Sequence, residues 1–375
     1  MRQRYRISIT LFVVLCAAPT SRAQTHVSGL FSMVGRNADA VDQSNHTNAG
    51  YSPYDAIYGR IFFDAAVTDR LGAFVQLYTS GNHGEVILAG AYARYDHTPS
   101  IHIEAGLIPT PVGEWAKRTY ADKNPLVSVP AMYQFKTSLD DWQDMQHDVS
   151  DILEDRGLNE YAPLVYDFCW NTGVHGYASV GSFDFGVALL NGSLGSTARA
   201  VVYDRPDVAA HLSWVPSPYL TLGVWGADGA YLPKSFQADL PPGKGLLDYQ
   251  QKTVGGLIHA SAGHCELYAE GLLNRFEHPY LGNLDNAGGY ADIKYEFATR
   301  WWAAARVDML AFARLSDPEA HNERWDFPLK RYEVGIGRWF SERALVKLVT
   351  QIIRHTDAPA KLDGETYALQ FTVKM

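Results

Sequence analysis

Ile57-Tyr58-Gly59-Arg60-Ile61-Phe62-Phe63-Asp64 places Ile, Gly, Ile and Phe at odd positions and Tyr, Arg, Phe and Asp at even ones. In an extended chain successive side chains point to opposite faces, so this stretch has one face fit for hydrocarbon and one that carries charge. Ile101-His102-Ile103-Glu104-Ala105 and Tyr367-Ala368-Leu369-Gln370-Phe371-Thr372-Val373 repeat the pattern. A strand crossing a membrane in a closed sheet needs this alternation, because lipid-facing and lumen-facing residues alternate along it.

Outward from these stretches the spacing predicts sixteen strands. They fall at about 26–35, 56–67, 71–79, 85–95, 101–108, 168–180, 182–191, 206–215, 219–229, 250–261, 264–276, 287–297, 300–313, 328–339, 343–355 and 365–375. Every second link is tight, as at Thr68-Asp69-Arg70, Gly181, Pro216-Ser217-Pro218 and Ala262-Gly263, while the others are mostly longer and more polar. Segregation of short and long links to opposite ends is a property of transmembrane barrels. The expected fold is an all-β, antiparallel, up-and-down transmembrane barrel, wide enough at this strand number for an aqueous lumen. The final strand alternates to the terminus, as strands read by barrel-assembly machinery do, although it ends in Met375 rather than an aromatic.

The ends and the composition agree. Arg2, Arg4 and Arg6, the apolar run Ile7 to Ala18 and Ser21-Arg22-Ala23 read as a cleaved export signal over 1–23, which leaves 24–375 as the barrel. Cys16 lacks the preceding small residue of a lipidation site. The signal holds four arginines and no acid, so its removal takes the net charge from −9 to about −13. That balance argues against nucleic acid as a partner. No later stretch approaches the ~20 apolar residues of a spanning helix, and tyrosine and tryptophan are plentiful, as interfacial girdles require. Cys169 and Cys265 fall on segments far apart in strand order, and there is no zinc-type Cys/His spacing or glycine-rich phosphate loop; Asp144, His147, Asp148 and Asp151 could together hold a cation but read better as a solvated acidic face. Export without a spanning helix leaves the periplasm, the medium or the outer membrane, and the alternating strands favour the last, with its lipid as the barrel's surroundings.

The longest interruption, 109–164, follows the fifth strand and is expected to fold inward as a constriction, because a link this long in a compact fold is usually functional. Its first half is proline-rich and irregular. In its second half Leu139, Trp142, Met145, Val149 and Ile152 recur at helical spacing, predicting a helix over about 139–155, capped by Ser138 and ended by Gly157. Lys117, Arg118, Lys123, Asp140, Asp141 and Asp144 are its candidate pore-lining charges.

Parity assigns the wall. Arg60, Asp64, Arg94, Glu104, Arg306, Asp308, Arg331 and Glu333 are expected to face the lumen, with His211, His259, Glu266, Glu270, Asp292, Lys294, Lys347 and Gln351. A charge facing lipid at mid-membrane costs roughly 2–4 kcal/mol. The expectation is that the loop acids face wall bases such as Arg60 and Arg94, giving a field across the narrowest part. Passive diffusion of small hydrophilic solutes or ions is the function this implies. A barrel enzyme of lipase or protease type, or a secreted β-rich glycan-binding protein, is the alternative. No serine or carboxylate is tied by a motif to His211 or His259, and the segregated links argue against a secreted sandwich.

Gly106-Leu107-Ile108-Pro109-Thr110-Pro111-Val112-Gly113 resembles the Gly-x-x-x-Thr-Pro-Phe-Gly segment after a mid-barrel strand in phosphate-selective porin O/P-like outer-membrane proteins, with Val112 in place of the aromatic. The rhythm of Trp301-Trp302-Ala303-Ala304-Ala305-Arg306-Val307-Asp308 is similar to the same group. The resemblance implies a sixteen-stranded channel, often a homotrimer. It does not imply phosphate selectivity, since no ladder of inward arginines and lysines is evident.

Overall fold

The computed structural model describes residues 24–39, 43–47, 51–81, 84–166, 168–195, 203–315 and 322–375; the segment 1–23 read as an export signal, with Cys16, lies outside them. Sixteen antiparallel strands close into one barrel: β1 (Gln24–Ala38), β2 (Ile57–Ala66), β3 (Leu71–Ser80), β4 (Val86–Thr98), β5 (Ile101–Pro109), β6 (Trp170–Val180), β7 (Phe183–Leu190), β8 (Asp207–Ser217), β9 (Leu220–Ala230), β10 (Gln250–Ala262), β11 (Cys265–His278), β12 (Gly282–Ala298), β13 (Trp301–Phe312), β14 (Leu329–Trp339), β15 (Ala344–His355) and β16 (Gly364–Lys374). Each pairs with its neighbours in sequence. The seam is closed by β1 on β16, with Phe31 opposite Val373 and Gly35 opposite Leu369.

Alternation decides which way each strand faces. On β16, Tyr367, Leu369 and Phe371 are exposed, whereas Thr366, Ala368, Gln370 and Thr372 are buried inside. Ile57 and Ile61 of β2, Phe185, Val187 and Leu189 of β7, and Val334 and Ile336 of β14 continue the apolar outer band. Tyr95, Phe183, Trp214, Tyr219, Phe297 and Phe340 are also exposed, and all lie beside the short turns, where amphipathic rings fit a membrane–water boundary. The two-residue turns at 181–182 and 263–264 depend on Gly181 (φ 60°) and Gly263 (φ 57°), which supply the left-handed backbone that tight hairpins need.

The short turns lie at one end and the long links at the other, with one departure from the sequence reading. Rather than ending near 276 and resuming at 287, β11 and β12 run on as a hairpin joined at 279–281, where Arg275 and Asp285 pair at 2.6 Å.

The link after β5 folds into the barrel. It carries three short helices: α1 (Trp115–Arg118), α2 (Ala131–Gln134) and α3 (Val149–Glu154). The expected helix over 139–155 is therefore reduced to its last third. Asp140 instead accepts the backbone N–H groups of Trp142, Gln143 and Asp144, and the chain restarts at Asp148, whose carboxylate accepts from Ser150 and Asp151 in a capping box. Aspartates that capture nearby amides compete with helix propagation. The apolar periodicity still marks burial: Leu139, Met145, Val149 and Ile152 are buried, and Trp142 is not.

The β1–β2 link, read from sequence only as a long connection, also turns inward. Asn45 donates to Gln351 at 2.7 Å, and Tyr54 is buried with its hydroxyl 3.3 Å from Glu333.

Candidate permeation path

The loop opens with the proline segment, and its residues seat the chain in the lumen. The Thr110 N–H donates to the Cys169 carbonyl, its hydroxyl donates to Asn171 at 2.7 Å, and the Pro111 carbonyl accepts from His211 Nδ1 at 2.8 Å. Val112 is buried. Gly113 has φ 70°, and a Cβ there would lie 2.3 Å from the Tyr133 hydroxyl, so only glycine fits the bend.

From α1 onward, and at the Glu114 N–H just before it, the loop is tied to the β11–β15 wall by buried charges. Arg118 forks onto Asp292 at 2.9 and 3.0 Å and lies 3.6 Å over the Tyr268 ring. Arg306 bridges Asp292 (3.2 Å), the Ser128 carbonyl (2.7 Å) and Asn124 (2.9 Å). Asp308 receives the Ala131 N–H at 2.8 Å and Arg331 at 3.0 Å; Arg331 also donates to Gln134 and to the Val129 carbonyl. Glu333 accepts from the N–H groups of Val127 and Ser128 and from the Ser128 hydroxyl. Lys347 donates to the carbonyls of Asn124 (2.9 Å) and Leu126 (2.7 Å). Glu270 takes the Glu114 N–H and, at 2.6 Å, the Tyr133 hydroxyl.

Arg306, Asp308, Arg331 and Glu333 thus point inward but are covered by loop rather than by water. Sequence parity gives the direction of a side chain; it does not give what will lie against it.

The lumen that remains lies against the opposite wall. A cavity of about 530 Å³ is bounded by the start of the loop, Pro109 to Lys117, and by residues of β5 to β10, most of them inward. Its polar lining includes Glu104, Glu114, Lys117, Asp184, His211 and His259. Ser179, Asp184 and Val215 carry it to the end with the short turns. Glu104 accepts from the Tyr177 hydroxyl at 3.1 Å, and the exposed Lys117 pairs with Glu114 at 2.9 Å. His259 stacks on Tyr268 at 4.1 Å, and that ring's neighbour is the Arg118 guanidinium. Sequence reasoning named Glu104, Lys117, His211 and His259 but not Glu114, Asp184 or His175. For the last two, the even parity of β7 and the odd parity of β6 were the available signal.

The other candidate charges are dispersed. Arg60 is buried among aromatic rings, with its guanidinium 5.0 Å over Tyr120 and 5.2 Å over Tyr78. Asp64 is exposed on the inward parity of β2, Arg94 pairs with Asp96 at 3.3 Å, and Lys123 is exposed. Asp140 is buried and committed to its own turn; Asp141 is half-buried and Asp144 exposed. Burial, then the Asp140 charge, push the Asp141 carboxyl up to about 7. Asp141 acts electrostatically on Tyr203 and Tyr231, both in links at the long-loop end. The expected confrontation of Asp140, Asp141 and Asp144 with Arg60 is not formed: rings surround the arginine, and the acids belong to the mouth.

No protein-family model and no curated protein matches the sequence. Solved structures match over nearly the whole chain. An anion-selective porin from Comamonas acidovorans aligns with TM-score 0.59 at 10% identity, covering 94% of this chain and 100% of that one. OmpF of Salmonella typhi, solved with daunomycin, gives TM-score 0.59 at 13% identity, covering 94% and 98%. The trimer form of OmpT, an outer membrane protein of Vibrio cholerae, gives 0.58 at 8%, covering 95% and 100%. At such identities the likeness is one of fold: this chain has the sixteen-stranded barrel architecture of outer-membrane porins.

Proposed function

We propose that the protein is an outer-membrane channel through which small hydrophilic solutes or ions diffuse passively. The observation that carries this reading is a closed barrel, apolar outside, whose longest loop is fixed against one wall while a polar cavity stays open along the other. Residues 1–23 direct export and are removed, the short turns face the periplasm and the long links face the medium. Assembly machinery reads the last strand, and the barrels associate as trimers, as the trimer form of the Vibrio protein does. The proline segment supports a looser kinship with the phosphate-selective porin O/P-like group, without its phosphate preference.

The path runs beside Glu104, Glu114 and Asp184, with Lys117 as the one lysine on the cavity lining among the described residues. Fixed charges on a narrow, low-dielectric wall select by sign, so cations are favoured. Single-channel recording of the refolded protein in a planar bilayer under a salt gradient tests this. A reversal potential on the cation side is expected, which Glu104→Gln with Asp184→Asn moves towards anions, more so at low salt where the Debye length is long. Absence of discrete conductance from folded protein would remove the channel reading, and an unmoved reversal potential would place the path elsewhere.

A further inference from the structure

His175 on β6 and His211 on β8 sit on either side of β7, where the inward Gly186 pairs with His211 on one side and with Tyr177, one inward position from His175, on the other. The missing side chain leaves a hollow, and both imidazoles lean into it. A Cβ on Gly186 would lie 2.5 Å from His175 Nε2 and 2.6 Å from His211 Cε1. The ring centroids are 5.6 Å apart with planes inclined at 60°. His175 is 7% exposed, and its Nε2 is buried with no hydrogen-bond partner, a state that buried polar atoms rarely hold without a reason. His211 Nδ1 donates to the Pro111 carbonyl, so that nitrogen carries the proton and Nε2 keeps its lone pair. A backbone carbonyl that fixes one ring nitrogen and frees the other is the usual support behind a metal-binding histidine.

We propose that His175 and His211 form a two-histidine site for a borderline divalent transition metal such as Zn²⁺ on the wall of the channel. Metal–nitrogen bonds of about 2 Å to both rings require centroids about 5–6 Å apart, which the pair already satisfies. Imidazole favours zinc, copper and nickel, whereas magnesium prefers oxygen ligands and keeps its waters. Glu114 and Asp184 act electrostatically on His211 and add negative charge for a dication, partly offset by Lys117. Only two side chains ligate, and both line the cavity, so water fills the remaining positions and the metal exchanges with the solution.

Isothermal titration of Zn²⁺ into the refolded full-length barrel tests the site without recourse to current. Saturable binding is expected in the wild type and absent with Mg²⁺. His175→Ala and His211→Ala should each weaken Zn²⁺ binding by about tenfold or more, and His264→Ala, on an exposed turn, should leave it unchanged. His175→Gln and His211→Gln, closer in size, serve where an alanine variant fails to refold. No binding at millimolar Zn²⁺, equal binding of Mg²⁺, or wild-type affinity in either histidine variant would overturn the proposal. A barrel that binds Zn²⁺ through both histidines yet conducts nothing would refute the channel and leave the site standing.

Discussion

Glu333 gathers the N–H groups of Val127 and Ser128, the Ser128 hydroxyl and the Tyr54 hydroxyl around one carboxylate, so a single side chain on β14 holds both inward links. It also lies 3.8 Å from Arg306, at a site closed to water. Removing one partner of a buried ion pair costs about 3–5 kcal/mol, because the other charge is left unmatched. Glu333→Ala should therefore leave a closed barrel whose loop is loosened around Val127 and Ser128, while Asp292, Asp308, Arg331 and Lys347 still hold the rest of it. The expected readout is noisier single-channel current than wild type, whereas current as quiet as wild type in a folded variant would show that Glu333 is not needed to still the loop. The inward direction of Glu333, Arg306, Asp308 and Arg331 is legible from alternation alone. Their burial is not, because it depends on backbone groups of a segment some two hundred positions away, and no local pattern encodes that docking. Gly113 is the reverse case: its place in a Thr-Pro-x-Gly segment is visible in the sequence, and its positive φ gives the physical reason.

Between Ser138 and Asp155 the loop shows how an apolar period survives when its helix does not. The buried positions are as expected, but Asp140 and Asp148 each divert amides that a continuous helix would use. This turn is joined to the β13–β14 link where Ser138 N–H donates to Asp326 at 2.9 Å. Burial pushes the Asp326 carboxyl up to about 7, and burial with the Asp140 charge does the same for Asp141. Both carboxyls thus hold protons more tightly in the folded loop than in an unfolded chain, where aspartate titrates near 3.9. Their stabilising contribution is complete below about pH 4 and is lost as pH rises through about 7. Hydrogen exchange over 138–146, corrected for intrinsic rates, should be more protected at pH 5 than at pH 8. Asp141→Asn should flatten part of that difference, and equal protection in the wild type at both values would exclude these groups as its source.

For the molecule as a whole, the rhythm of short and long links carried most of the information. Sixteen strands follow from it, with boundaries displaced by only a few residues except at the β11–β12 hairpin, where Asn283 to Asn286 read as loop but continue the ladder. The lumen was much less legible. Sequence separates inside from outside, whereas open from filled is decided by how two links pack across the barrel. A ring of sixteen strands offers no free edge, so unboiled protein in detergent should migrate apart from boiled protein on a gel. A single band indifferent to heating would contradict the closed sheet.

The anchors of the inward links have a further consequence, for the order of events as the chain is built. Residues 43–47, 51–54 and 110–166 emerge early, but many of the groups that receive them, among them Arg306, Asp308, Arg331, Glu333, Lys347 and Gln351, lie on strands near the end of the chain. The second link meets Asn171, His211, Glu270 and Asp292 earlier, but neither link has its full set of anchors until β13 to β15 are in place, and the wall closes only when β1 meets β16. The last hairpin thus both completes the set of anchors, through Lys347 and Gln351, and closes the wall.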